Sequence, residues 1–193
     1  PLCDTYNQSS VTTTLASMYT YLGKRKEAEQ LQALQIKLKI DTKDYTNLNV
    51  GLRNLSVSMR NRNRFAISEK LRLAALELAK AMDNSKLIER SMLHLLISYV
   101  DTGQWQYVED LTETLEDAYQ EDTFWLADIM LRKAQTYTYT NIDATKFILK
   151  AEELALASGN ASIYRNAVGL RGELALIQGA TDQAILHFEK SIM

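Results

Sequence analysis

Residues 170–192, LRGELALIQGATDQAILHFEKSI, decide how the chain is read. Apolar residues recur at helical spacing on both sides of Gly179, and a glycine is what a helix needs to end in the left-handed conformation. His187 and Glu189 follow near the end, so the stretch is either a turn presenting a histidine and a carboxylate or one copy of a helix-turn-helix unit. The rest of the chain separates the two. Turns after apolar runs occur in YLGKRKEA, NRNRFAIS, DTGQWQYV, YTNIDA and IQGATDQA, which close at Ala28, Ser68, Val108, Ala144 and Ala184. The successive steps are 40, 40, 36 and 40 residues. Spacing that constant marks a repeat array.

Each unit has the same order. A leucine sits eight residues before the turn in four copies (Leu15, Leu55, Leu95, Leu131), and the turn position is Gly23, Asn63, Gly103, Tyr139 and Gly179. Small or apolar residues then recur at helical spacing, as in Ala184, Phe188 and Ile192. This pattern predicts helices near 10–22, 25–40, 46–61, 64–82, 86–101, 105–119, 124–139, 143–158, 161–178 and 181–193. Asp143 and Thr181 are candidate N-caps and Gly159 a candidate helix stop.

Composition agrees. Proline occurs once and glycine seven times, which permits long helices and argues against a turn-rich β fold. Hydrophobic residues at 46% and charged ones at 24% describe a folded chain and exclude the disordered class. No apolar run reaches the roughly 18 residues of a membrane span, and the single Cys3 rules out an intramolecular disulfide and fits a reducing cytoplasm. Pro1 in place of a starting methionine, and an apparent helix still running at Met193, lead us to expect a piece of a longer protein, with exposed array ends that self-associate.

The units LISYVDTGQWQYVEDL and LRGELALIQGATDQAILHFEKSI resemble the tetratricopeptide repeat: large apolar, small, aromatic, Gly, aromatic, Ala, then an apolar second helix. The resemblance implies an all-α, right-handed α-solenoid of five units, about 9–44, 45–84, 85–122, 123–160 and 161–193. The family's closing proline is absent, and the period exceeds its common length of about 34 residues. Long proline-free units with phrases such as ALELAKAMDNS and AEELALASGNAS are similar to the sensor arrays of bacterial signal-transduction ATPases, transcription activators and peptide-pheromone receptors.

Chemistry-bearing patterns are few. His94 and His187 are the only histidines and lie in different units, so no histidine pair at i, i+4 can hold zinc, and no phosphate loop ending in Gly-Lys-Ser/Thr is spelled out. We therefore expect no catalytic residues, no cofactor and no metal. Glu109, Asp110, Glu113, Glu116 and Asp117 interleave with apolar residues as a solvated helix face. Residues 1–100 carry 15 basic and 9 acidic side chains, a net +6, and residues 101–193 carry 7 and 15, a net −8. Lys24, Arg25 and Lys26 in one turn, and Arg62 and Arg64 in the next, are expected along one edge. Without interleaved aromatics, and in a chain acidic on balance, they do not make a nucleic-acid surface.

In tetratricopeptide arrays the first helix of each unit lines a concave groove. The resemblance carries that groove onto Thr13, Ser17 and Tyr21; Arg53, Asn54, Arg60 and Asn61; Arg90 and His94; and Lys133 and Tyr137. Thr20, Val57, Ile97, Asp101, Ile129, Thr136, Asn166, Glu173 and Ile177 complete it. Arg53 and Arg60, seven apart, share a helical face, and such a surface can hydrogen-bond an extended peptide and pair with its carboxylates. Of the residues with which chaperone-binding relatives grip a C-terminal carboxylate, only Asn54 and Arg90 have counterparts, because Thr13, Ser17 and His94 stand at the other positions. The expectation is a protein- or peptide-binding module of a larger regulatory protein. A small-ligand sensor and an oligomerisation segment are the alternatives.

Overall fold

The computed structural model describes the backbone of residues 2–192 and the side chains of residues 11–16 and 18–192. Ten α-helices follow one another: α1 (Leu2–Tyr21), α2 (Arg25–Asp41), α3 (Tyr45–Arg60), α4 (Phe65–Ala81), α5 (Ser85–Thr102), α6 (Val108–Ala118), α7 (Thr123–Tyr139), α8 (Thr145–Ala157), α9 (Ala161–Ile177) and α10 (Thr181–Ile192). Among the described residues there is no strand, and no helix is long and apolar enough to cross a membrane. The expected boundaries hold to within two residues except at two starts. Helix α1 begins at Leu2, and a 3-10 turn at Trp105–Tyr107 precedes α6.

The turns explain the period. Gly23, Lys43, Asn63, Asp83, Gly103, Asn141, Gly159 and Gly179 all have positive φ, between 49° and 78°. Each is followed by an amide that reaches back five residues to a helix carbonyl, as in Lys24 N to Tyr19 O at 2.8 Å, Arg64 N to Met59 O at 2.9 Å and Ala180 N to Ala175 O at 2.8 Å. This is the Schellman closure, which satisfies carbonyls that the helix end leaves open. From Gly23 to Gly103 the closure recurs every 20 residues, so the 40-residue period is two helices of equal length. The fourth expected turn is corrected. Tyr139 is the last residue of α7, and the left-handed residue is Asn141, because asparagine tolerates αL where an aromatic side chain resists it. Counted from Asn141, Gly103 and Gly179 stand 38 residues away on either side.

Short polar side chains start the helices. Asp44 accepts from Asn47 N at 3.3 Å, Asn84 from Leu87 N at 3.1 Å, and Asn160 from Ile163 N at 3.1 Å. Asp122 accepts from both Phe124 N and Trp125 N. Asp143 accepts from Thr145 N at 2.9 Å, one residue ahead of the backbone N-cap of α8, and α10 begins at Thr181 itself.

The chain forms two compact units, Pro1–Ser98 and Tyr99–Met193. Sequential helices pack as neighbours in each: α1 on α2, α2 on α3 and α3 on α4 in the first, and α6 on α7, α7 on α8, α8 on α9 and α9 on α10 in the second. In the second unit α7 also touches α9. Its core is apolar, with Ile129, Leu131, Ala134, Ala151 and Ala167 fully out of solvent. Small residues there let helix axes come close. A Cβ on Gly172 of α9 would lie 2.7 Å from the Phe188 ring of α10.

Candidate functional site

The first unit buries polar side chains as well as leucines. Asn49, Ser56, Ser68, Arg72 and Ser91 are all at most 1% exposed, and each finds a partner on another helix. Asn49 of α3 donates from Nδ2 to the Ala75 carbonyl of α4 at 2.6 Å and to Ser91 Oγ of α5 at 3.2 Å, while its Oδ1 accepts from Arg53 Nε at 3.0 Å. Arg72 of α4 donates through Nε to Ser56 Oγ at 3.1 Å and through a terminal nitrogen to the His94 carbonyl at 2.7 Å. Ser68 Oγ closes the set by donating to the Ser56 carbonyl at 2.8 Å. These bonds fix α3, α4 and the first part of α5 in register. Burial, then the charges of Arg53 and Arg72, hold the His94 imidazole down to about 4, so it is neutral near pH 7. Its Nδ1 is buried with no hydrogen-bond partner among the described residues.

Against this frame the groove positions separate into buried and exposed. Arg53 is 8% exposed and belongs to the network, with His94 half-buried beside it. Asn54, Asn61 and Arg90 are exposed, and Arg60 is half-buried. Thr13 accepts from Gln35 Nε2 at 2.6 Å, which ties α1 to α2, and Tyr21 is 94% exposed. Ser17 lies outside the described side chains. The basic turns do meet across α2. Arg62 and Arg64 both pair with Glu29, and a cleft of about 230 Å³ opens among Thr20, Arg25, Ser58, Asn61 and Arg62.

In the second unit Lys133 is 9% exposed, pairs with Glu116 of α6 at 2.9 Å and lies 5.2 Å from the centre of the Phe147 ring. Tyr137 donates to Glu109 at 2.8 Å, which, with burial, pushes its phenol up to about 12. Of the remaining groove positions, Ile129 and Thr136 are buried, Asn166 and Ile177 are exposed, and Glu173 accepts from the Tyr139 hydroxyl at 2.9 Å. The acidic stretch on α6 is exposed at Glu109, Asp110, Glu113 and Asp117 and half-buried at Glu116.

Counting back eight residues from the observed turns gives Leu15, Leu55 and Leu95, then Lys133 and Arg171. An apolar position has become cationic twice, and both cations reach a carboxylate on the preceding helix. Arg171 of α9 pairs with Glu152 of α8 at 3.0 Å, as Lys133 pairs with Glu116. Their surroundings then diverge. Phe147 lies six residues past its turn and covers Lys133, whereas the matching residue past Gly179 is Ile185, 51% exposed. Arg171 instead lines a cleft of about 280 Å³ between α8, α9 and α10, with Ile148, Leu149, Leu174, Gln178, Gln183 and His187.

Sequence reasoning missed this cleft, although most of its lining comes from residues 170–192. The available signal was Arg171 at a leucine position, and it was hidden while the fourth turn was placed at Tyr139. Among the described residues no group of three or more His, Cys, Asp or Glu is placed to hold a metal ion. No family model matches the chain, and no curated protein matches it.

Proposed function

We propose that the chain is a non-catalytic, tetratricopeptide-like repeat module of five units forming a right-handed solenoid. It binds a protein or extended peptide along the first helices of its units, as the sensor or scaffold part of a larger bacterial regulatory protein in the cytoplasm. The observation that carries this reading is the buried network in Pro1–Ser98. Asn49 bridges α3 to α4 and α5, so the exposed Asn54 and Arg90 stand on helices whose relative position is already fixed. Donors held in place lose less freedom on binding than donors on mobile segments. Asparagine amides suit the backbone of an extended peptide, and the Arg90 guanidinium suits an acidic side chain. His94 supports a non-catalytic reading, since nearby guanidiniums depress its basicity where a general base needs it near neutrality.

Selection from a random peptide library against the full chain tests the proposal. Acidic peptides are expected, with affinity falling about tenfold on Asn54→Ala and again on Arg90→Ala. Selected peptides that ignore both substitutions overturn the groove assignment. A second reading, sensing of a small ligand, is favoured by the cleft beside Arg171.

A further inference from the structure

The cleft between α8, α9 and α10 carries more chemistry than helix packing requires. Arg171 is its only charged lining residue, and Glu152, 9% exposed, holds one guanidinium nitrogen at 3.0 Å. A guanidinium offers five N–H donors in a planar fork, so one bond to Glu152 orients the group and leaves donors over. At the matching position in the same unit the Lys133 charge is covered by an aromatic ring, whereas Arg171 faces open space. Gln178 and Gln183 add amide donors, and Ile148, Leu149 and Leu174 make an apolar wall.

We propose that this cleft is a binding site for a small amphipathic monocarboxylate, whose carboxylate meets Arg171 and the two glutamine amides and whose hydrocarbon tail lies on Ile148, Leu149 and Leu174. Size agrees. About 280 Å³ is the space of roughly nine water molecules and falls just below the range of drug-sized pockets. That suits a ligand on the order of ten non-hydrogen atoms. Sign agrees as well. Arg171 and Lys190 both act on His187, whose basicity is lowered by burial first and then by these two charges, and a field that disfavours an imidazolium favours an anion. The close approach of Gly172 to Phe188 fixes α10 on α9 and so holds Gln183 and His187 at the cleft.

Calorimetric titration of the full chain with hexanoate, hexan-1-ol and hexylamine tests the proposal, with the His187 ring resonances as a local probe. Hexanoate is expected to saturate, to shift His187 and to bind about tenfold tighter than the alcohol, while the amine does not saturate. Leu149→Glu, at a half-exposed position that leaves the fold intact, is expected to weaken hexanoate about tenfold. Because Arg171→Gln alone would strand a buried carboxylate, it is combined with Glu152→Gln, and this double variant is expected to bind hexanoate no better than the alcohol. Hexanoate that fails to saturate, an alcohol that binds equally well, an unmoved His187, or wild-type affinity in both variants each overturns the site.

Discussion

Pro1–Ser98 closes its interior around Asn49, Arg72 and three serines that bond from helix to helix, whereas Tyr99–Met193 closes around Ile129, Leu131, Ile148 and a set of alanines. Buried polar residues of the second unit that serve structure tend to bond within their own helix. Thr136 donates to the Arg132 carbonyl, and Thr138 donates to the Ala134 carbonyl. The turns differ in the same sense. The first unit places Lys43, Asn63 and Asp83 at positive φ and only one glycine, Gly23, while the second uses Gly103, Gly159 and Gly179 with Asn141. A polar interior is directional, so it fixes which helix faces which, but each bond lost leaves a desolvated partner. An apolar interior of small residues is forgiving in direction and unforgiving in volume.

The largest expected effect comes from breaking the polar network. Arg72→Ala strands Ser56 Oγ and the His94 carbonyl in a dry interior, and is expected to cost about 3–5 kcal/mol in denaturant unfolding, with protection lost first at α3 and α4 amides. Next is a pH contrast. Unfolded His94 takes a proton near 6.5 and folded His94 only near 4, so the stability it lends is complete above pH 6.5 and disappears as pH falls to about 4. The full swing is up to about 3 kcal/mol, and His94→Gln should flatten it. Glu152 acts with the opposite sign. Burial raises its carboxyl against the pull of Arg171 and Lys190, so folded Glu152 binds its proton first and the second unit gains from acidification until unfolded Glu152 also protonates near 4.5. Amide exchange followed from pH 7 to 4 should therefore loosen α3 and α4 while Glu152→Gln, and not His94→Gln, alters the trend in α8 and α9.

A smaller effect probes volume in the second unit. Gly172→Ala drives a methyl group into the Phe188 ring and is expected to cost about 1–3 kcal/mol in thermal unfolding, part of which Phe188→Leu restores. Smallest, and of opposite sign, is Lys43→Gly. It relieves a left-handed lysine and is expected to add about 0.5–1 kcal/mol, whereas Gly179→Ala in the second unit, with open space around it, loses a similar amount through φ alone.

Helix positions were legible because periodicity and turn chemistry are local. Gly23, Asn63, Gly103, Gly159 and Gly179 announce their own conformation, and the apolar spacing on either side needs no partner to be read. Lys43 and Asp83 were not legible as left-handed residues, since nothing in a lysine's chemistry asks for αL. The 20-residue closure imposes it, stabilised by helices that pack on both sides. The groove was legible only as a set of positions. Arg53 and Arg60 share a helical face in any straight helix, yet Arg53 is drawn inward by Asn49, and Lys133 by Glu116 and Phe147.

The sequence by itself determined an all-helical chain, the number of helices, most of their ends and the near-constant spacing of the turns, because these follow from interactions within about four residues. Tertiary structure alone decided which cations became internal and which kept an open side. That choice depends on what stands across the gap: Asn49 for Arg53, a phenyl ring for Lys133, and empty space for Arg171. The residues 170–192 hold both results. Their spacing around Gly179 declares a helix-turn-helix, and only the packing of α8 against α9 and α10 turns Arg171, Gln178, Gln183 and His187 into one cleft.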